Sequence, residues 1–306
     1  MRKTILTAAL LCAFLGTQAQ EYYEKHVAFP TGATTAQKID MASRLVPTPQ
    51  QLAWQQMEFT CFLHFGINTF TGREWGDGKE DPAIFNPTEL DCEQWVRALK
   101  EGGFKMAIIT TKHHDGFCMF RTATTDYNSY DATPGKRDFI KEMAEACKRG
   151  GINFGIYFSL IDWHFPQAYP ISSHNCDFIT PQHHEFTKAQ VTELLTNYGP
   201  ISELWFDMGS NTPEQSKELY QLVHRLQPDC MVSGRLGNDQ YDFSVMADNT
   251  YPEGSLQTAW QTAASMFDET WSYRSWQKRG DVHTKAMEKL RKIGRASCRE
   301  RVSSPV

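Results

Sequence analysis

The chain has no Cys-x-x-Cys pair, no Gly-x-Gly-x-x-Gly turn, no apolar run long enough to cross a bilayer and no excess of basic residues. The first absence leaves a structural zinc site without support. The second argues against a doubly wound dinucleotide fold, whose first strand leads into a glycine-rich phosphate turn. The third leaves the stretch from Ile5 to Leu15 too short to be a membrane span. With a formal net charge of −5 the chain also lacks the basic face that nucleic-acid binding needs, so a small-molecule partner is expected.

What is present is a chain of 306 residues, 41% hydrophobic, enough to bury a large core in one big domain or two small ones. Met1-Arg2-Lys3, an apolar stretch to about Gly16 and the small residues Thr17 and Ala19 read as a signal peptide over residues 1–19, cut before Gln20. The protein is therefore expected to be exported, periplasmic or secreted, with no membrane insertion once the signal is cleaved. Residues 20–46 read as an N-terminal extension ahead of the main folded body at 47–292. From about Ile293 the sequence GRASCRERVSSPV loses apolar periodicity and resembles a non-native tail. Most cysteines lie within apolar strand or helix patterns and read as reduced core residues.

Runs 59–67, 106–111, 154–159, 201–207 and 230–235 are short, apolar and bounded by Gly, Pro or polar residues, as buried parallel strands are. Between them, Cys92, Trp95, Val96 and Leu99 stand at i, i+3, i+4 and i+7, the spacing of one helix face. Ile140, Met143, Ala144 and Cys147 repeat that spacing, as do Val191, Leu194, Leu195 and Tyr198, and Leu219, Leu222, Val223 and Leu226. Gly102-Gly103, Gly150-Gly151 and Gly199-Pro200 end three of these helices. The repeated unit predicts an α/β fold, a (β/α)8 TIM-like barrel. Weaker strands near 244–249 and 256–260 and a helix from Val282 to Ile293 bring the barrel to about seven strands, incomplete at its C-terminal end. A barrel short of its last unit exposes two sheet edges, so the 306-residue product is expected to be unstable or inactive while a longer gene product is active.

Barrel enzymes carry their catalytic groups at the carboxyl ends of the strands. Here those ends hold His64, then His113 and His114, Tyr157, Trp205 and Asp207, and Arg235, too polar and aromatic a set for core packing alone. A metal centre is disfavoured. His64 is not part of a His-x-His pair, and adjacent His113 and His114 on an extended backbone would point to opposite sides. Aromatic residues such as Trp75, Trp163 and Trp205 can stack on sugar rings, which suits glycoside hydrolysis by two carboxyl groups with no cofactor. Asp207 is the expected nucleophile, because a charge closing the apolar strand ELWFD is costly to bury without a purpose.

The segments HFGINTF at 64–70, EW at 74–75, residues 85–117 and ELWFDMG at 203–209 resemble the α-L-fucosidases of glycoside hydrolase family 29 over about residues 47–292. The resemblance implies a retaining exo-α-L-fucosidase acting on fucosylated glycans, without a metal. It further implies that Asp207 is the nucleophile and that His64, Glu74, Trp75, His113, His114, Tyr157 and Arg235 hold fucose. An aromatic wall near Trp75 or Trp205 would accept the C6 methyl. The block around Trp260 often carries the family acid/base as Trp-Glu, where this chain reads Trp260-Gln261, and an amide cannot transfer a proton. Glu253 is the substitute candidate, with Asp268 and Glu269 behind it. Two further readings stay open: a non-catalytic fucose- or carbohydrate-binding relative, and a glycosidase for another deoxy or galacto-configured sugar.

Overall fold

The computed structural model describes residues 29–43, 47–166, 178–252, 258–267 and 270–278, with 280 and 288 as single positions. The expected signal segment, the tail from 293 and the body of the helix expected over 282–293 lie outside the described residues. The chain divides into two units, one ending at Thr48 and one beginning at Pro49. In the first, helix α1 spans Thr35–Ser43, and Thr34 and Gln37 exchange backbone-to-side-chain hydrogen bonds at its start. No helix among the described residues is long and apolar enough to cross a membrane.

In the second unit, β1 (Thr60–Leu63), β2 (Met106–Lys112), β3 (Asn153–Ser159), β4 (Glu203–Asp207) and β5 (Met231–Val232) form one sheet in chain order, every pair parallel. A parallel bridge from Ser233 to Phe243 continues that order to β6 (Ser244–Val245), which pairs with β7 (Trp260–Gln261). Seven described strands therefore follow one another in sequence, as in a barrel. The outer strands are shorter than expected. β1 stops at Leu63, and β5 gives way after Val232 to a 3₁₀ turn at Gly234–Leu236, where Arg235 sits.

The helices are α2 (Pro49–Gln55), the one-turn α3 (Asn68–Thr71), α4 (Cys92–Glu101), the one-turn α5 (Ser129–Ala132), α6 (Phe139–Gly150), α7 (Pro181–Asn197) and α8 (Pro213–Leu226). The long ones begin where a side-chain oxygen meets an orphan amide: Asp91 caps α4, Asp138 α6, Thr180 α7 and Thr212 α8, with proline following both threonines.

Period-two alternation along the buried strands separates two apolar layers. Ala107, Ile109, Ile156, Phe158, Leu204 and Phe206 pack against the helices, while Met106, Ile108, Tyr157, Trp205, Met231 and Phe243 fill the other side, the barrel interior. Gly155 belongs to the interior row, where a Cβ would lie 2.9 Å from Cγ1 of Ile108. Trp54 of α2 stacks on Phe243 at 4.4 Å and joins the interior cluster. The five described cysteines are free thiols, four of them buried.

Candidate active site

Residues 203, 205 and 207 of β4 share one side of the strand, and their environments differ by depth. Glu203, at the amino end, is wholly buried, Trp205 is 2% exposed and Asp207, at the carboxyl end, is 8% exposed. Asp207 is held by two donors. Tyr157 donates its hydroxyl hydrogen to Oδ2 at 2.7 Å, and Nη1 of Arg235 donates to Oδ1 at 2.8 Å. Tyr157 comes from the neighbouring strand, where it is paired with Trp205. Burial and the carboxylate beside it raise the phenol well above its ordinary pKa, so it stays a donor. Arg235 also donates Nη2 to Asp248, just beyond β6, and its guanidinium lies 5.6 Å from the Trp205 ring. Trp205 is thus a floor beneath the Asp207–Arg235 pair, not an exposed wall.

The histidines come together differently from expectation. The pairing of β2 with β3 shifts by one between Thr110 and Lys112, so Thr110 stands opposite Tyr157 but Lys112 opposite Phe158. This bulge turns Lys112 away from the interior, where its ammonium meets Asp162 at 3.1 Å and the Phe158 ring at 4.3 Å. Past the strand end, His113 and His114 do not point to opposite sides. Their rings lie 3.8 Å apart and tilted by 35°, and His113 is 4.6 Å from His64. Strand alternation does not govern residues beyond a bulge and a strand end, so the orientation argument against a shared ion fails. Among the described residues no three His, Cys, Asp or Glu side chains are grouped as metal ligands.

Burial lowers the pKa of all three imidazoles, His114 to about 4, so each meets a ligand neutral. The Ser159 hydroxyl donates to the carbonyl of Ile161 at 2.8 Å and so must accept from Nδ1 of His114 at 2.7 Å. That fixes the tautomer and leaves Nε2 of His114 an acceptor. Behind His113, Asp115 lies 3.9 Å from its Nδ1, accepts from Asn68 at 2.7 Å, and is pushed up to about 7 by burial.

Trp75 is 37% exposed and meets His114 and Trp163 edge-on at 6.0 and 6.1 Å. Its loop is pinned at Gly78, where a Cβ would sit 2.4 Å from the carbonyl carbon of Trp163, and Nδ1 of His164 bonds the Gly78 carbonyl oxygen at 2.7 Å. Glu74 receives three donors from the segment after β7: the Trp271 amide at 3.0 Å on Oε1, with the Thr270 hydroxyl and Nη2 of Arg274 on Oε2, the latter at 3.1 Å.

The structure gathers Tyr157, Trp205 and Arg235 around Asp207, and His64, His113, His114 and Trp75 into a connected aromatic group; burial and charge effects tie His64 to Glu74 and Asp207. Glu253, Asp268 and Glu269 lie outside the described residues. Gln261 is not among this group. Its amide donates to Oε2 of Glu203 at 3.1 Å, at the amino end of β4, about 13 Å of strand from Asp207. Asp115 stands in the sequence beside the two histidines at the end of β2; residues that sequence patterns did not reveal are Asp248, Ser159 and Arg274. Ser159 closes the apolar run of β3 and the others lie outside such runs, so only tertiary contact exposes their roles.

A row of parallel strands whose carboxyl ends carry a doubly held aspartate, neutral imidazoles and aromatic rings defines a candidate active site on an α/β barrel. The profile of the α-L-fucosidase family matches residues 80–293, and the chain belongs to that family. It is 42% identical over 201 residues to α-L-fucosidase 1 of Arabidopsis thaliana, a match covering 63% of this chain and 38% of that one. A glycoside hydrolase 29 family member from an unknown rumen bacterium superimposes with a TM-score of 0.66 at 30% identity, covering 82% of this chain and 51% of the other. The α-L-fucosidase AlfC of Lactobacillus casei, solved with α-L-fucose product, gives 0.67 at 28% identity, covering 80% and 89%. The solved structures of this family have a (β/α)8 barrel, and the sequential parallel order here is its arrangement. The chain spans well under half the length of the Arabidopsis relative.

Proposed function

We propose that this chain carries the catalytic centre of a retaining exo-α-L-fucosidase that removes terminal fucose from glycans. The observation that supports this most is the pair of donors on Asp207. Tyr157 and Arg235 stabilise its carboxylate and fix its direction at the strand end, as a nucleophile requires. An oxygen of Asp207 attacks the anomeric carbon while the glycosidic C–O bond breaks and a carboxylic acid protonates the departing oxygen. The resulting ester is opened by water, whose proton returns to that same carboxyl group; two inversions leave the configuration retained. Glu253 is the proposed acid/base. The neutral imidazoles accept or donate to sugar hydroxyls without adding charge, and the exposed edge of Trp75 suits the C6 methyl.

Gln261 favoured a non-catalytic sugar binder when read from sequence alone. Bonded to Glu203 below the Trp205 floor, it has no part in proton transfer at Asp207, so that reading loses its motive. We further propose export, with cleavage before Gln20, which amino-terminal sequencing of the exported product tests.

The deciding experiment is hydrolysis of 4-nitrophenyl α-L-fucoside by the wild type and by Asp207→Ala, with a 2-fluoro fucosyl donor as trap. The variant should lose at least about 10⁴-fold in turnover, and the trap should label Asp207. A label on another side chain removes the mechanism.

A further inference from the structure

We infer that the segment after β7 belongs to the sugar site, with Arg274 a positioning residue that holds Glu74 so that one acceptor position faces the ligand. The inference rests on the reading of the pocket as a fucose site and adds to it a residue to which the resemblance assigned no role.

Arg274 is among the largest fully buried side chains of the molecule, although it lies in a segment without helix or strand. A guanidinium is buried at great cost unless its protons are met. Nη2 donates to Glu74 at 3.1 Å, and Nη1 reaches the Ser272 hydroxyl and the carbonyls of Tyr273 at 2.9 Å and Asn68 at 3.4 Å, while Nε is buried with no partner among the described residues. Asn68 is itself bonded to Asp115, behind His113. One buried cation therefore touches the loop carrying Glu74 directly and, by way of Asn68 on α3, is linked to the turn behind His113.

The stoichiometry of donors gives the consequence. An ionised carboxylate has about four lone-pair positions. Among the described residues three donors reach Glu74, two on Oε2 and one on Oε1. The remaining position, on Oε1, accepts one hydroxyl hydrogen. The charge of Arg274 also opposes protonation of His64 and His113, whose pKa values burial already lowers.

The test is a double-mutant cycle on L-fucose binding by calorimetry, with kcat and KM for 4-nitrophenyl α-L-fucoside measured alongside. Arg274→Met and Glu74→Gln should each weaken L-fucose binding about 10- to 100-fold, mainly through Kd and KM. The double variant should be no worse than the weaker single variant, because Arg274 acts through Glu74. Arg274→Lys should recover part of the loss. Should Arg274→Met fail to fold, Thr270→Val removes a different donor to the same carboxylate, should weaken binding about threefold to tenfold, and must likewise add nothing to Glu74→Gln. Losses that multiply in the double variants, or wild-type binding by Arg274→Lys and Thr270→Val alongside a weakened Glu74→Gln, overturn the inference while leaving the fucose reading in place. The longer wild-type gene product, in which all these variants are made, counts against both if it neither binds L-fucose nor cleaves the fucoside.

Discussion

The Tyr157 hydroxyl and Oδ2 of Asp207, on neighbouring strands, are 2.7 Å apart, and the phenol is the donor. Replacing Tyr157 with Phe removes that proton while keeping the ring that packs in the barrel interior. Turnover of an aryl fucoside should fall by about 10²-fold, the usual cost of one preorganised donor. The melting temperature should change little, since the interior apolar contact is retained.

Asp248 occupies the far side of the guanidinium that holds Asp207, and its side chain is half exposed. Asp248→Asn keeps its shape and removes its charge, so Arg235 should loosen only slightly, costing about threefold to tenfold in kcat/KM. A loss beyond 10³-fold that azide restores would instead make Asp248 the acid/base in place of Glu253.

Glu203 accepts from Trp54 at 2.6 Å and from Gln261, and burial pushes its carboxyl up to about 8 from an ordinary 4.5. Between those values the folded protein holds a proton that the unfolded chain has released. The stability tied to this group is therefore complete below about pH 4.5 and is lost as the pH rises to about 8. Glu203→Gln should match the wild type near pH 4.5 and exceed it at pH 8 to 9 by on the order of 5 kcal/mol. Denaturant titrations at a series of pH values check this; Asp115 titrates alike in both proteins and cancels in the difference.

Gly155→Ala places a methyl against Ile108 in the barrel interior. Overpacking of that kind should cost about 1–3 kcal/mol in a urea titration. The activity of the fraction that remains folded should be near that of the wild type.

The strands β2, β3 and β4 were legible because parallel strands buried on both faces read as unbroken apolar runs, and the four long helices because each repeats one spacing of apolar residues. Asp207 was legible for the same reason, as a charge closing such a run. Glu203 opens the very same run and passed unnoticed. Nothing in ELWFD says which carboxylate meets Tyr157 and Arg235 and which meets Trp54, because the latter depends on a residue some 150 positions away. Arg274 was hidden in a stretch with no periodicity. The register shift beside Thr110 depends on how β2 meets β3, which one strand's pattern cannot report.

That shift ties the pocket to a count of residues more than to their identity. Shortening the stretch between Ile109 and His113 by a single position would put His113 in the place of the outward lysine and His114 in the place of His113, leaving one imidazole of the pair beside His64, with the strand otherwise intact. A one-codon deletion in an apolar run two strands away from Asp207 is therefore expected to disturb the pocket as much as replacing one of the side chains that line it.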